Sequence, residues 1–571
     1  MVIELNKIFF GAAVYCLLFS FKVQAQENYR SVPNILEEFD QGRLTVDEAY
    51  IQMNDIYNDG TIHKCTTLLH MFEHKYKEQV TPTLIQSTGI IRNKLVTETF
   101  TSASGKFVFS YETIGANAIP LADADANNIP DYVEEAGIAI DSTYNYLVNT
   151  LGYSDPIPDG ATYDISFEDM GVYGYVETNG SAASGTVMAI ENDFIGFPEN
   201  DDPDGNQLGA LRATVAHELK HAIQFKQNNF NGDSDRWAEM DATLIEEVVY
   251  DQVNDYYNYL GGFGDVFGNP GVTVIPGSYE DVTWALYFHE KFGADFWPST
   301  WQRIENSVSD LPLLSAISEE LALRGFNYTE TLRELYIWHF TSGAYRNNNF
   351  GFDESIFYPT PNVQSNITLV DDQFSSTLNV GRFSAYMANV VPPMTQTGDA
   401  TVLMEVDSVG LSLAVVALFN NGSVDFQTAR QEGELMIVNN GWQWDQIERL
   451  GVIVFNERES RSGDFRIRMS DTYSTSILTD NTKPVSTELK QNYPNPFNPS
   501  TTIPVSISEF QRVKVDIYDI TGRLVQSVFD GNLSSGNYAL PVDMQRFASG
   551  VYLYRLQTND NVQIKRMTLV K

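Results

Sequence analysis

Two histidines four residues apart, with a glutamate directly after the first, lie in an otherwise apolar stretch: Ala213-Thr-Val-Ala-His217-Glu218-Leu-Lys-His221-Ala-Ile-Gln-Phe225. On a helix, positions i and i+4 share a face, so His217 and His221 can bind one metal ion together. Glu218 then stands beside the metal, where it can take a proton from a metal-bound water. The chain has only 7 His in 571 residues. At that composition roughly 0.005 such motifs arise by chance in a chain of this length. The plainer alternative is a pair of core histidines.

A catalytic zinc site takes three protein ligands and leaves one position open, so a third ligand is required. Asp235-Arg-Trp237-Ala-Glu239-Met-Asp-Ala242-Thr-Leu-Ile-Glu246-Glu247 follows, and 17 residues separate His221 from Glu239. Asn229, Asn231, Gly232, Asp233 and Ser234 read as a loop between two helices. A second helix starting near Asp235 brings Glu239 in its first turns to face the His helix, antiparallel to it. Glu246, two turns further on the same face, is the alternative ligand or the partner that orients a ligand histidine. The pattern Trp-x-Glu-x-x-Ala-Thr resembles the gluzincin signature, with Met240 where that group often has Gly. The resemblance implies zinc held by His217, His221 and Glu239, with Glu218 as general base. Lys220 departs from it, since such helices usually carry an uncharged residue there. His70-Met-Phe-Glu73-His74 matches an inverted His-x-x-Glu-His motif, but its polar, Lys-rich surroundings read as a solvated amphipathic helix.

Upstream, Asp123-Ala-Asp125-Ala-Asn127-Asn-Ile129-Pro-Asp131-Tyr-Val-Glu134 has EF-hand loop spacing. Asp123, Asp125, Asn127, Asp131 and Glu134 fall at positions 1, 3, 5, 9 and 12, and Ile129 can offer its carbonyl at position 7. Asn128 stands where glycine usually permits a left-handed turn. The loop is expected to bind calcium; an acidic turn capping the next helix is the alternative. This run, Leu151-Gly-Tyr153 and the His motif together resemble a family of secreted bacterial metalloproteases over roughly residues 95–300. A second acidic loop, Glu199–Gly205, reads as solvated or as a further cation site.

The formal net charge of −39 makes nucleic acid and anionic membrane poor partners, and 43% hydrophobic residues suffice for several cores. Lys7, an apolar run from Ile8 to Phe19 and Val23-Gln-Ala25 form a signal peptide, residues 1–25. No later stretch has the length of a membrane span, so no transmembrane segment is expected in the mature chain. Removal of the signal peptide leaves Cys65 as the single cysteine, which excludes an internal disulfide. Residues 26–90 are polar and helical in pattern and form a candidate prosegment. In it Cys65 is either a thiolate cap on the zinc or an incidental small buried residue.

The expected order continues with an α+β, zincin-like catalytic domain over 91–375. It has strands near 106–111 and 163–168 and helices near 131–150, 208–228, 235–259 and 281–292. Tyr279 and His289 are candidates to stabilise an oxyanion, beside packing and surface roles. Short β-rich runs at 400–407, 412–419, 433–438 and 449–455 predict a β-sandwich over 376–472. A Ser/Thr-rich linker follows at 473–488. Over 489–571, Tyr493-Pro-Asn-Pro-Phe497, Val513-Lys-Val-Asp-Ile-Tyr-Asp519-Ile-Thr-Gly522 and Ser549-Gly550-Val-Tyr-Leu-Tyr alternate apolar residues with turns, as in a small β-sandwich. These motifs resemble the C-terminal sorting domain of the bacterial type IX secretion system. The resemblance implies that machinery as a partner and a secreted or cell-surface location. The function expected is a secreted, calcium-stabilised zinc endopeptidase acting on protein or peptide. The alternatives are a surface-binding or adhesion protein with a structural or inactive zinc site, and zinc hydrolysis of a non-peptide bond.

Overall fold

The computed structural model describes residues 31–84, 98–347, 350–367, 373–406, 410–432, 435–471, 486–492, 494–508, 511–533, 536–558 and 561–570. The expected signal peptide and most of the expected linker lie outside them. The chain divides into two compact units, residues 1–285 with 358–362, and residues 286–357 with 363–571. The first is mixed α/β. The second is helical up to residue 340 and, from about residue 365, mostly β-strand.

The first unit opens with helices α1 (Val32–Asp40) and α2 (Val46–Tyr57), strand β1 (His63–Cys65) and helix α3 (Thr67–Tyr76). A capping box at Thr45 and Glu48 starts α2 by satisfying two orphan amides. Strands β2 (Glu98–Thr101), β3 (Phe107–Tyr111), β4 (Tyr163–Glu168), β5 (Val172–Thr178) and β6 (Thr186–Glu191) follow, with helix α4 (Asp131–Tyr144) between β3 and β4. With β1 they form one six-stranded sheet in the order β1-β5-β6-β4-β3-β2. Pairing is parallel at β3/β4, β4/β6 and β1/β5, and antiparallel at β5/β6 and β2/β3. Residues expected to form a separate prosegment therefore contribute a strand to this sheet, with His63 opposite Val172 and Cys65 opposite Gly174.

Period-2 burial in β3 and β4 turns Phe107, Phe109, Tyr163, Ile165 and Phe167 inward. Tyr132 and Tyr144 of α4 pack on these rings. The helix predicted over 131–150 is α-helical to Tyr144 and finishes as a π-helical turn, Asn145–Thr150.

Helix α5 (Asn206–Asn228) carries the His motif and ends at Asn229, which adopts the left-handed conformation with its amide on the Phe225 carbonyl. Every residue from Ala213 to Gln224 is buried, so this helix is core on all sides. Helix α6 (Ala238–Val249) runs back along it: Gln224 meets Ala238 and Asp241, while His217 meets Glu246. The helix predicted over 235–259 stops at Val249, and a 3-10 turn, Asp255–Tyr259, follows left-handed Asn254. The sheet approaches α5 most closely at Gly174. A Cβ there would stand 2.8 Å from Thr214 Cγ2 and 3.0 Å from Glu218 Cγ. Only glycine at this point of β5 lets the strand lie against the metal-motif helix.

The second unit begins within helix α7 (Val282–Phe292), which ends at Gly293 with φ +94°, the glycine cap read from sequence. Helices α8 (Phe296–Glu305), α9 (Leu313–Leu323) and α10 (Tyr328–Phe340) precede a β-sandwich. In one sheet Asp399–Val406 is flanked by Leu435–Gln443 and Gly463–Ser470. In the other, Ile447–Asn456 is flanked by Leu411–Phe419 and Ser384–Val390. Their inner faces share one core that includes Val402, Leu413, Val415, Val452, Val454, Trp444 and Ile467. A second, smaller β module spans 488–569 and closes over Leu489, Ile503, Val515, Ile517, Tyr554 and Met567.

Candidate metal centre

The side chains of His217 and His221 leave α5 on one face, with ring centroids 4.7 Å apart. Each Nδ1 has an acceptor. His217 Nδ1 donates to Glu246 Oε1 at 2.7 Å, and His221 Nδ1 donates to Gln224 Oε1 at 2.7 Å. Both Nε2 atoms are thereby left to face each other at 3.1 Å, and Glu239 Oε2 lies 3.1 Å from His217 Nε2. Cys65 completes the group: donor atoms of Cys65, His217, His221 and Glu239 all lie within 4.8 Å of one another, and all four residues are buried.

This donor set fits zinc. Two neutral imidazoles that donate through Nδ1 present lone pairs through Nε2, which repel unless a cation or proton lies between them. Zinc at 2.0–2.1 Å from each nitrogen spaces tetrahedral donors about 3.3 Å apart, close to the spacing found. A Glu239 oxygen, Oε1, is buried without a hydrogen-bond partner. The charge balance points the same way. Burial disfavours a charged His217, yet Glu239 and Glu246 outweigh it and raise its pKa to about 10. Burial also works against ionised Glu239, yet the two histidines bring it down to about 2. The cluster demands positive charge, which a divalent cation supplies.

Glu218, next along α5, is fully buried and held above the ordinary carboxyl range by that burial. Its Oε2 accepts from Thr67 Oγ1 at 3.1 Å. Burial pushes the Cys65 thiol well up, with the Glu218 and Glu239 carboxylates adding to the effect. Tyr279 stands half-buried close by, and desolvation together with Glu239 raises its phenol to about 12. His289 is half-buried on α7, in the second unit.

Several residues of the site had no role assigned from sequence. Gln224 links His221 to Asp241: its Nε2 donates to Asp241 Oδ2 at 2.8 Å and to the Ala238 carbonyl at 3.0 Å. Lys220, the departure from the gluzincin pattern, lies on another face of α5, fully buried, 3.2 Å from Asp241 Oδ2 and over the Tyr153 ring. Lys64 is also buried. Its Nζ donates to Glu246 Oε2 at 2.5 Å and to Asp255, whose other oxygen accepts from Tyr173 at 3.1 Å. His70, Glu73 and His74 do not gather: among the described residues they belong to no candidate metal cluster, and the His70 ring packs 4.4 Å from that of Tyr175.

At the acidic loop, oxygens of Asp123, Asp125 and Asp131 come together. Asn127 Nδ2 donates to Asp125 and Glu134, tying position 12 to the loop. Asn128 has φ +67°, the left-handed turn anticipated at position 6. The second acidic loop is instead closed by protein: Arg212 bonds both Asp202 oxygens at 2.8 Å and Asp204 at 2.9 Å.

Residues 491–570 match the secretion system C-terminal sorting domain. The chain thus carries a type IX sorting module and is a secreted or cell-surface protein, and the sorting machinery is its partner. No helix among the described residues is long and apolar enough to cross a membrane. No curated protein matches the chain. Among solved structures, it is similar to the pre-peptidase C-terminal domain of a Bacillus anthracis collagenase at 7% identity, covering 19% of this chain and 97% of that one, with a TM-score of 0.15. A β-1,2-glucanase from Parabacteroides distasonis is similar at 8% identity over 31% of this chain and 28% of that one, with a TM-score of 0.12. At these scores neither bears on the fold or the site.

The Gln224 bridge predicts a measurable cost. Gln224→Ala removes the acceptor on His221 Nδ1 and should weaken zinc binding by about 10- to 100-fold, with His217 and Glu239 intact. Competition against a chelator of known affinity measures it; unchanged affinity would show that the ring needs no such partner.

Proposed function

We propose that this chain is a secreted zinc-dependent endopeptidase with a zincin-like catalytic unit. The observation that carries the reading is the buried convergence of His217 Nε2, His221 Nε2 and Glu239 beside a Glu218 that ligates nothing. Zinc held there would polarise the scissile carbonyl and acidify a water. Glu218 accepts that water's proton and returns it to the leaving amine. Burial raises its pKa, so it is a better proton carrier than a solvated carboxylate. Glu246 and Gln224 fix the tautomer and plane of the two histidines. Tyr279, half-buried near Glu239, is the candidate to donate to a developing oxyanion.

Cys65 favours a second reading. Four protein donors close a tetrahedral site, which is the pattern of structural zinc. That reading belongs with a surface-binding protein in which the metal only stabilises. The two separate on one variant. Glu218→Gln keeps the shape and removes the base, so zinc content should be unchanged while peptide hydrolysis falls by about 100-fold or more. His217→Ala should lose the zinc itself. Hydrolysis absent from every form of the chain would favour the structural site, and hydrolysis that persists in Glu218→Gln would remove Glu218 from the role of base.

Calcium is proposed at Asp123, Asp125, Asn127, Ile129, Asp131 and Glu134. Three carboxylates crowd together there, and calcium bound only to the folded state adds stability by mass action. At constant zinc, calcium at about 100 times its dissociation constant should stabilise by about 2.7 kcal/mol and raise the Tm. Replacing Asp123 and Asp125 together by Ala should abolish the rise. A calcium-independent melting curve for the parent would reduce the loop to an acidic turn.

A further inference from the structure

Strand β5 runs antiparallel to β6, and without β1 it would be the free edge of the sheet directly over the metal-motif helix. Such an exposed edge is a template to which an extended peptide can add by backbone pairing. Here the chain's own His63-Lys64-Cys65 takes the edge. The Thr66 amide continues the pairing to the Gly174 carbonyl at 3.3 Å.

Three successive features of this segment engage the site. Cys65 Sγ joins the two histidines and Glu239, where a catalytic metal keeps its open position. Thr67 Oγ1 donates to Glu218 Oε2 and accepts from the Val176 amide at 2.7 Å, so the proposed base is engaged by the same segment that supplies the sulfur. Lys64 sends its ammonium into a pocket made by Asp255, Glu246, Tyr173 and Tyr259, where it is 2% exposed. A lysine buried to that degree is held by its two carboxylates. Removing it would leave Asp255 buried without a cation, at a cost far above that of a solvated acid.

We propose that His63–Thr67 is a built-in inhibitory strand lying in the substrate cleft: Cys65 completes the metal's donor set, Thr67 engages Glu218, and Lys64 fills an acidic subsite that in the active enzyme takes a Lys or Arg side chain of the substrate. The inference rests on the endopeptidase reading and specifies its regulation and substrate class. Activation is withdrawal of the strand. With zinc bound, withdrawal would take the Cys65 sulfur out of the donor set, leave its position to water, free the edge of β5, and leave the Asp255 pocket without its cation.

Cobalt substitution tests the sulfur without relying on activity. The full chain loaded with cobalt should show a thiolate-to-metal charge-transfer band in the near ultraviolet, beside the visible bands of a tetrahedral site. Cys65→Ser should lose the former and keep the latter. Visible bands without the thiolate band in wild type would overturn the inhibitory strand and leave the metal centre standing. Absence of both would sink the endopeptidase reading as well.

Peptidase activity on a peptide library is the second measurement. Cys65→Ser in the full chain should be more active than wild type by on the order of 100-fold, the scale of an intramolecular ligand's advantage. Its cleavages, made by molecules whose loosened strand has left β5 and taken Lys64 out of the Asp255 pocket, should cluster beside Lys or Arg. Asp255→Asn added to Cys65→Ser should erase that preference, and the preference in Cys65→Ser alone decides if the double variant fails to fold. Equal activity of wild type and Cys65→Ser, with the thiolate band present, would make Cys65 a permanent structural ligand and overturn latency. Cleavage indifferent to basic residues would overturn the subsite.

Discussion

Two imidazole lone pairs and a carboxylate meeting in a dry interior form the constraint on which the first unit depends. His217 Nε2 and His221 Nε2 at 3.1 Å, with Glu239 at the same distance from His217, are unstable together unless something positive joins them. The surrounding structure reads as the means of holding that arrangement. Glu246 and Gln224 lock the outer nitrogens, α6 runs antiparallel to α5 so that one helix supplies both Glu239 and Glu246, and Gly174 lets the sheet close over Glu218. Each of these is a geometric demand of the cluster, met by a different element.

The second layer is ionic, and its value is positional more than energetic. Lys220–Asp241 and Lys64–Asp255–Glu246 are fully buried pairs, and such pairs roughly repay their own desolvation. They connect the metal centre in two directions. Asp241 accepts from Gln224, so Lys220 steadies the candidate ligand His221 from behind. Burial lowers the Lys220 pKa to about 8, with Asp241 opposing the fall. Glu246 accepts from His217 and from Lys64, so the proposed occupant of the cleft is in contact with the group that orients a candidate ligand. Departure of Lys64 therefore changes what Glu246 balances.

How much of this was legible in the sequence follows from how local each signal is. The His-x-x-x-His spacing, Glu239 on the next helix and the left-handed Asn128 are short-range patterns, and the geometry agrees with each. The glycine cap at Gly293 and the strands at Tyr163–Glu168 and Leu411–Phe419 are of the same kind. What escaped was tertiary. Lys220 looked like a blemish because nothing in its neighbourhood announces Asp241, which arrives from another helix. Asp255 and Tyr173 are ordinary until Lys64, nearly 200 residues from Asp255, lands between them. The helix predicted to reach 259 ends ten residues earlier, since apolar and aromatic residues from Val248 to Tyr259 continue the pattern in composition while the backbone leaves the helix at Tyr250, with φ −128° and ψ 52°. The decoy at His70 failed for the converse reason: its spacing was right, but its ring was spent on Tyr175.

The placement of the segment bearing Cys65 joins the two ends of the chain into one argument. A sorting module at 491–570 commits the protein to leave the cell through a dedicated machine, and a protease exported that way would have to stay harmless until then. An inhibitory strand at His63–Thr67, as proposed, would be present at unit stoichiometry and at high effective concentration from the moment the sheet forms. The strand is also structurally useful, since it covers an edge that would otherwise invite pairing with another chain. The same backbone bonds that silence the proposed enzyme thus complete its sheet. Silencing and folding are coupled, and release of the strand would exchange one extended peptide on β5 for another.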